Sequence, residues 1–207
     1  LVGTTAGHDY TAGERFTTAD LEPEVSPSRF DPRAVLFRWA PVVRFSDFEQ
    51  YLQFHPHALE FHLTDKDLDE PVPQRSFPQE LIVHAPEYRY RSLVDLATPD
   101  GEARQRSVES LKRTVQKVHE LAPHFSGMPK LVVHPGGYSL SPYPNPAELL
   151  KFLADSLAQV DFAGIELLVE NLPPRPWFFG GEWVQNIFLG AEEIRRFLDA
   201  HGLNMCL

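Results

Sequence analysis

The sequence predicts an α/β fold: an incomplete (β/α)8 TIM barrel with about six of its eight strands, preceded by a short non-barrel segment at the N-terminus. From residue 35 onward, strand-like apolar runs alternate with amphipathic helical runs, which is typical of a parallel sheet. The strand runs are continuously apolar, as expected for strands buried on both faces. Three of them end in a histidine or a glutamate, and barrels build their active sites from the C-terminal ends of several strands.

The alternative to a barrel is an open, doubly wound sheet. Such a sheet is expected to carry a glycine-rich phosphate loop after its first strand, and the sequence contains none. A complete barrel takes about 250 residues and eight strands, whereas the sixth predicted strand begins at the very end of the 207 residues. We therefore expect a truncated barrel, with further chain or an oligomeric partner covering its exposed edge.

Residues 1–30 differ in character from the rest, because they are polar and rich in turn-forming residues. This predicts a boundary near residue 30 and a partial barrel over residues 31–207. In the run "AGERFTTADL", Gly13 can supply a turn and Thr17 or Thr18 can cap a helical turn. The run resembles the antifreeze-like (SAF) domain that ends sialic acid synthases. The alternative is a disordered linker.

The predicted strands of the barrel were identified by their apolar, β-branched composition and by the turn residues that bound them. In chain order they are "VLFRWAPVV", "ALEFHLT", "ELIVHAP", "KLVVHPG", "GIELLVEN" and "LNMCL".

Four predicted helices separate most of these strands. In "EARQRSVESLKRTVQKVHELA" the helical spacing of apolar residues predicts an amphipathic helix of about five turns; its apolar positions are Val108, Leu111, Val115, Val118 and Leu121. The run "FSDFEQYLQF" predicts a short helix with Ser46 as its N-cap. In "NPAELLKFLADSLAQV", Asn145 is the expected N-cap and Pro146 the first helical residue. The last helix, "GAEEIRRFLDAHG", is expected to end at Gly202.

The composition excludes some classes of function. With 43% hydrophobic and 23% charged residues, the chain has no apolar run near the 18 or so residues of a membrane span. The single cysteine, Cys206, excludes an intrachain disulfide and favours a reducing compartment, most simply the cytoplasm. A net charge of −10 disfavours a nucleic acid partner, since the phosphate backbone is bound mainly by lysine and arginine.

The strand ends carry the candidate chemistry. His84, His134 and Glu170 end three successive predicted strands. Neighbouring strands lie about 4.8 Å apart, so groups at matching heights can converge on one ion. Imidazole and carboxylate are ligands expected for zinc, manganese or a related divalent metal. Pro135 restrains the backbone of His134, and the two glycines after it let the loop turn away.

Each of these residues also has a plainer interpretation, because a single histidine at a strand end is more often a hydrogen-bonded structural residue. Three other residues are candidates for binding substrate. His62 ends the second predicted strand, and Arg89, after the third, could bind a phosphate or carboxylate. Trp177, in "RPWFFGGEW" after the fifth, could belong to an aromatic lid; the alternative is that these aromatic residues pack among themselves.

The motifs "VHAPEY", "VVHPGG" and "LLVENLP", in this order, resemble those of the xylose-isomerase-like barrel superfamily, particularly its endonuclease IV and sugar phosphate isomerase/epimerase branch. The resemblance covers roughly residues 35–207. It implies that His84, His134 and Glu170 are metal ligands, and that Glu170 can bridge two ions. It also places an aspartate and a histidine after the sixth strand. These would fall beyond Leu207, which leaves the site incomplete and the activity of the chain alone in question.

Three functions are compatible with these features. The first is a divalent-metal-dependent isomerase or epimerase, acting on a sugar or sugar phosphate, in which Glu170 is the catalytic carboxylate and zinc is the first choice of metal over Mn, Co or Mg. The SAF-like segment would place it in nonulosonic (sialic) acid metabolism. The second is an endonuclease IV-like metal-dependent phosphodiesterase. The third is a non-catalytic barrel module of a sialic acid synthase-like protein.

Overall fold

The computed structural model describes residues 38–206. The predictions made for residues 1–30, including the SAF-like run with its turn and cap, lie outside the described residues. So does the start of the first predicted strand.

A sheet of six parallel strands forms the centre of the structure. The strands follow one another across the sheet in chain order, each hydrogen-bonded to the next. This order is that of a barrel wall, since the strand order of a doubly wound sheet reverses direction partway. The predicted α/β fold with an incomplete barrel is therefore confirmed. The strands are β1 (Val42–Val43), β2 (Ala58–His62), β3 (Glu80–His84), β4 (Ser126–Val133), β5 (Glu166–Glu170) and β6 (Asn204–Cys206).

Four helices connect these strands: α1 (Phe48–Tyr51), α2 (Gly101–Leu121), α3 (Pro146–Leu157) and α4 (Ala191–His201). All five apolar positions predicted to form the stripe of α2 are buried. Pro146 is the first residue of α3, and Gly202 ends α4 in the left-handed conformation, both as predicted. Among the described residues, no helix combines the length and apolar character needed to cross a membrane.

Two local predictions were wrong. Ser46 does not cap α1; Asp47 precedes the helix, and its Oδ1 accepts a hydrogen bond from the Arg44 N–H at 2.7 Å. The carboxylate thus closes a turn before the helix, in competition with a cap. Asn145 occupies the N-cap position of α3, but its side chain makes no capping hydrogen bond. Within the described part of the first predicted strand, only Val42–Val43 pair with β2.

The loops that follow β3 and β4 are joined through one buried carboxylate. Asp95 is 7% exposed. Its Oδ1 accepts hydrogen bonds from the N–H groups of Ala97 and Gly137, and its Oδ2 accepts one from the N–H of Tyr138. Gly136 approaches so closely that a Cβ there would lie 2.1 Å from Asp95 Oδ1. The loop directly after His134 is therefore held in one place by Asp95.

Replacement of Gly136 by alanine is expected to lower the free energy of unfolding by more than backbone strain alone would lower it. Gly136 has a φ of +81°, and a left-handed conformation costs a non-glycine residue about 1–2 kcal/mol; the clash with Asp95 adds to this. Gly164→Ala is the matched control, because Gly164 has a φ of +76° with no atom within 4 Å of an added Cβ. Urea unfolding measures both. Equal losses in the two variants would contradict the close approach to Asp95.

Candidate metal centre

His84, His134 and Glu170 lie together at the C-terminal edge of the sheet. His84 and Glu170 are the last residues of β3 and β5, and His134 directly follows β4. Glu170 Oε2 lies 2.9 Å from His84 Nε2 and 3.3 Å from His134 Nε2. One carboxylate oxygen thus contacts both imidazoles, and the three side chains form a group that could hold a metal ion.

The ring of His84 is fixed by a hydrogen bond on its other nitrogen. His84 is buried, and its Nδ1 lies 2.9 Å from the carbonyl oxygen of Ala85. Because a carbonyl only accepts, Nδ1 carries a hydrogen and Nε2 is the atom directed at Glu170. Metal-binding histidines are usually oriented by such a bond from the non-ligating nitrogen. Without an ion, Nε2 must also donate, to Glu170, so both nitrogens are protonated. The residues therefore fit a cation that takes the place of the Nε2 proton.

His62 belongs to the same group of side chains. It ends β2 and is the register partner of His84 in β3. The centroids of the two imidazole rings are 4.1 Å apart. The prediction that His62 contacts substrate is not tested by this arrangement, but His62 does lie beside the predicted ligands.

Glu87 is a residue of the site that the sequence interpretation missed. It lies three residues after the end of β3, and its Oε1 is 3.7 Å from His62 Nε2 and 3.9 Å from His134 Nε2. With His62 and His84 it forms a second group that could hold a metal ion. The signal that could have found it is the acidic residue inside the quoted motif "VHAPEY", where Pro86 restrains the backbone next to it.

The charges of the site depend on one another. Hydrogen bonds from His134 and then His84 lower the pKa of Glu170 from 4.5 to about 2. Interaction with the His62 imidazole lowers the pKa of Glu87. For His84, burial disfavours the charged ring, but the hydrogen bond and the charge of Glu170 outweigh it and raise its pKa. Both carboxylates are thus ionised at neutral pH, as metal ligands must be.

The structure places Arg89 beside helix α2. Its Nη1 donates to the carbonyl of Arg106 at 3.2 Å, and its guanidinium lies 5.9 Å from the centroid of Tyr90. The preceding residue, Tyr88, instead packs on Phe179 with a centroid distance of 5.3 Å. A substrate contact of Arg89 remains a prediction.

Trp177 lies in a short hairpin after β5, in which Trp177–Phe178 pairs with Gly181–Glu182. Phe178 is buried and packs on Tyr138 at 5.0 Å, whereas Trp177 is 70% exposed. Successive side chains of a strand point in opposite directions, so the two aromatic residues serve different faces. Phe178 therefore packs this loop against the one after β4, and a role for Trp177 in substrate binding remains a prediction.

In the absence of metal, the stabilisation contributed by Glu170 is expected to be greatest between about pH 4.5 and 6.5. Because the folded pKa of Glu170 is lowered, its contribution is present above its ordinary value of 4.5 and is lost as the pH falls towards 2. Because the pKa of His84 is raised, its contribution is present below 6.5 and is lost as the pH rises through the raised value.

Glu170→Gln is expected to lower the free energy of unfolding by roughly 1–3 kcal/mol inside that window, and by less on either side. Chemical denaturation in a chelator, repeated across pH, measures it. Glu166→Gln is the matched control, because Glu166 begins the same strand and lies 3.9 Å from Lys130. A difference between wild type and Glu170→Gln that does not vary with pH would contradict the ion pair.

Residues 54–207 match the family described as "Xylose isomerase-like TIM barrel". This match does not include residues 1–30, and the resemblance of that segment to the antifreeze-like domain is not supported. The search of curated proteins found no match.

Among solved structures, the chain is similar to the crystal structure of a D-tagatose 3-epimerase-like protein, with a TM-score of 0.50 and 22% sequence identity. The similarity covers 76% of this chain and 59% of that one. At this identity it supports the fold alone. The family match extends over most of the described residues and includes all the side chains of the candidate centre. The chain therefore belongs to the xylose isomerase-like TIM barrel family.

Proposed function

We propose that the chain forms part of a divalent-metal-dependent isomerase or epimerase that acts on a sugar or sugar phosphate. The observation that carries the proposal is the convergence of His84, His134 and Glu170 on one point at the C-terminal edge of the sheet. Membership of the xylose isomerase-like family supports the class of reaction. The D-tagatose 3-epimerase-like neighbour is compatible with it through the fold.

In this proposal the ion is held by His84, His134 and Glu170. Two imidazoles and a carboxylate suit zinc best, with manganese, cobalt or magnesium as alternatives. A bound ion would supply Lewis acidity, which polarises a substrate carbonyl or hydroxyl and acidifies the neighbouring carbon.

The protein's own residues orient and hold this arrangement. The Ala85 carbonyl fixes the tautomer and the angle of the His84 ring. Glu170 remains charged at neutral pH, because the two histidines hold its pKa at about 2. A general base works best with a pKa near the operating pH, so a pKa this low suits Glu170 as a ligand better than as the base that removes a carbon-bound proton. Its assignment as the catalytic carboxylate remains a prediction.

An endonuclease IV-like phosphodiesterase is the second candidate. The motifs at the ends of β3, β4 and β5 favour it, because they match that kind of enzyme better than they match a plain epimerase. The net charge of −10 disfavours it, since a DNA-binding groove depends on lysine and arginine.

A link to nonulosonic acid metabolism rests on residues 1–30, and a cytoplasmic location rests on the single cysteine. Both remain predictions.

The proposal predicts that the full-length protein binds a divalent ion and isomerises a sugar or sugar phosphate only when the ion is present. Elemental analysis after purification, followed by chelation and addition of Zn²⁺, Mn²⁺, Co²⁺ or Mg²⁺, tests the first part. Turnover of a panel of sugars and sugar phosphates, beside cleavage of abasic-site DNA, tests the second and separates the two candidate reactions.

Glu170→Gln is expected to reduce turnover by at least about 100-fold, because it removes a charged ligand. Glu166→Gln, at the other end of β5, should leave turnover unchanged. Absence of bound metal under every condition would refute both catalytic proposals and favour the non-catalytic module.

A further inference from the structure

We infer that a cavity between helix α2 and the hairpin that follows β3 binds a small organic phosphate, at a site separate from the candidate metal centre. The hairpin pairs Tyr88–Arg89 with Ser92–Leu93. None of the side chains of the candidate metal centre lines the cavity. The inference therefore goes beyond the proposed function and does not depend on it.

The cavity has the size and the lining of a site for a small molecule. Its volume is about 230 Å³, which is below the roughly 300–1,000 Å³ of sites for drug-sized ligands. Apolar and polar residues both line it, among them Leu93, Val94, Ala103, Arg89, Ser92 and Arg106. An apolar wall with a few polar groups that fix the orientation of the ligand is typical of such sites.

Two arginines from different elements supply positive charge to the cavity. Arg89 belongs to the hairpin, and Arg106 lies in the second turn of α2. Arg89 Nη1 donates to the carbonyl oxygen of Arg106 at 3.2 Å, which anchors the guanidinium group of Arg89 beside the helix. Since a guanidinium group has five N–H donors, Arg89 keeps further donors for a ligand.

Neither guanidinium group is neutralised by a close carboxylate. In the described part of the chain, the ion-pair partner of Arg106 is Glu102 at 3.8 Å, and both side chains are mostly exposed. That distance is too long for a hydrogen bond, and exposed pairs contribute little. Arg89 has no ion-pair partner among the described residues. The nearby carboxylate of Glu109 accepts instead from Lys112 at 3.0 Å.

The turn of the hairpin places a strained aromatic residue at the cavity. Tyr90 has a φ of +55°, in the left-handed region that is unusual for a bulky side chain. Tight hairpin turns normally carry Gly, Asn or Asp at such a position. Tyr90 is 84% exposed, and its ring centroid lies 5.9 Å from the guanidinium carbon of Arg89, within the range of a cation–π interaction. Backbone strain of this kind is concentrated at ligand sites.

Phosphate fits these groups better than carboxylate does. A carboxylate has two oxygens, which one guanidinium group can satisfy in a bidentate pair. A phosphate monoester has three terminal oxygens and about 1.5 to 2 negative charges at pH 7, so it can accept from Arg89, Arg106 and the Ser92 hydroxyl together. The apolar lining residues then contact its carbon skeleton. The ligand class is therefore a small phosphate monoester.

The test is binding of glycerol 3-phosphate and ribose 5-phosphate to the full-length protein in a chelator, measured by calorimetry. Inorganic phosphate and glycerol are the comparison ligands. We expect one saturable site per chain for at least one ester, weaker binding of inorganic phosphate and no binding of glycerol. Arg89→Gln and Arg106→Gln should each weaken binding of the ester at least about tenfold, because hydrogen bonds to a charged group are lost.

Two further variants act as controls. Arg196→Gln removes the same charge from α4, where Arg196 is exposed and pairs with Glu192. Glu170→Gln alters the candidate metal centre. Both should bind the ester with wild-type affinity. Far-UV circular dichroism confirms folding, and Arg106→Gln carries the test if Arg89→Gln fails to fold, because the guanidinium group of Arg106 makes no hydrogen bond to the described residues.

Absence of saturable binding of either ester to the wild type would overturn the inference, as would wild-type affinity in the folded Arg89 and Arg106 variants. An equal loss in Arg196→Gln would indicate a non-specific response to charge, and a loss in Glu170→Gln would place the ester at the metal centre. Either result would also overturn the inference. Metal binding and turnover decide the proposed function separately, so its failure would leave this site intact.

Discussion

The parallel register of β2, β3, β4 and β5 is the constraint on which the rest of the site depends. His62 is paired with His84, His84 with Val132, and Val133 with Val169. These pairings set the strand ends at one height, so that side chains from neighbouring strands meet. Because the side-chain period of a strand is two, a slip of one residue in β3 would turn His84 to the opposite face of the sheet. Backbone pairing therefore decides whether the side chains form a cluster.

Loops above the sheet hold the ends of the strands in place. Asp95, in the segment between β3 and α2, accepts from the N–H groups of the loop after β4. The loop after β5 also contacts the loop after β4. Gln185 Nε2 donates to the Gly136 carbonyl and Asn186 Nδ2 donates to the Gly137 carbonyl, each at 2.8 Å. Three loops are thereby joined next to His134. Buried hydrogen-bond networks of this kind are costly to break, which helps to keep His134 in place.

The sequence was informative where local pattern decides structure. Continuous apolar runs located the sheet, and the residues at their ends identified His84, His134 and Glu170. It was less informative where a residue's role depends on distant parts of the chain. Glu87 has no periodic signal, and only the fold places it between His62 and His134. From the sequence, Asp95 would be taken for a surface loop residue. Its hydrogen-bond partners lie 42 and 43 residues further along the chain, and only the fold brings them together.

The central claim is that the imidazole and carboxylate donors at the ends of β3, β4 and β5 hold one ion. X-ray absorption at the zinc edge of the metal-loaded chain tests it most directly, because it reports the donors without requiring turnover. The account predicts a shell of nitrogen and oxygen atoms at about 2.0–2.1 Å, with the outer scattering of more than one imidazole. A zinc–sulfur distance of about 2.3 Å, which would place the ion on Cys206, or an oxygen shell without imidazole scattering would contradict it.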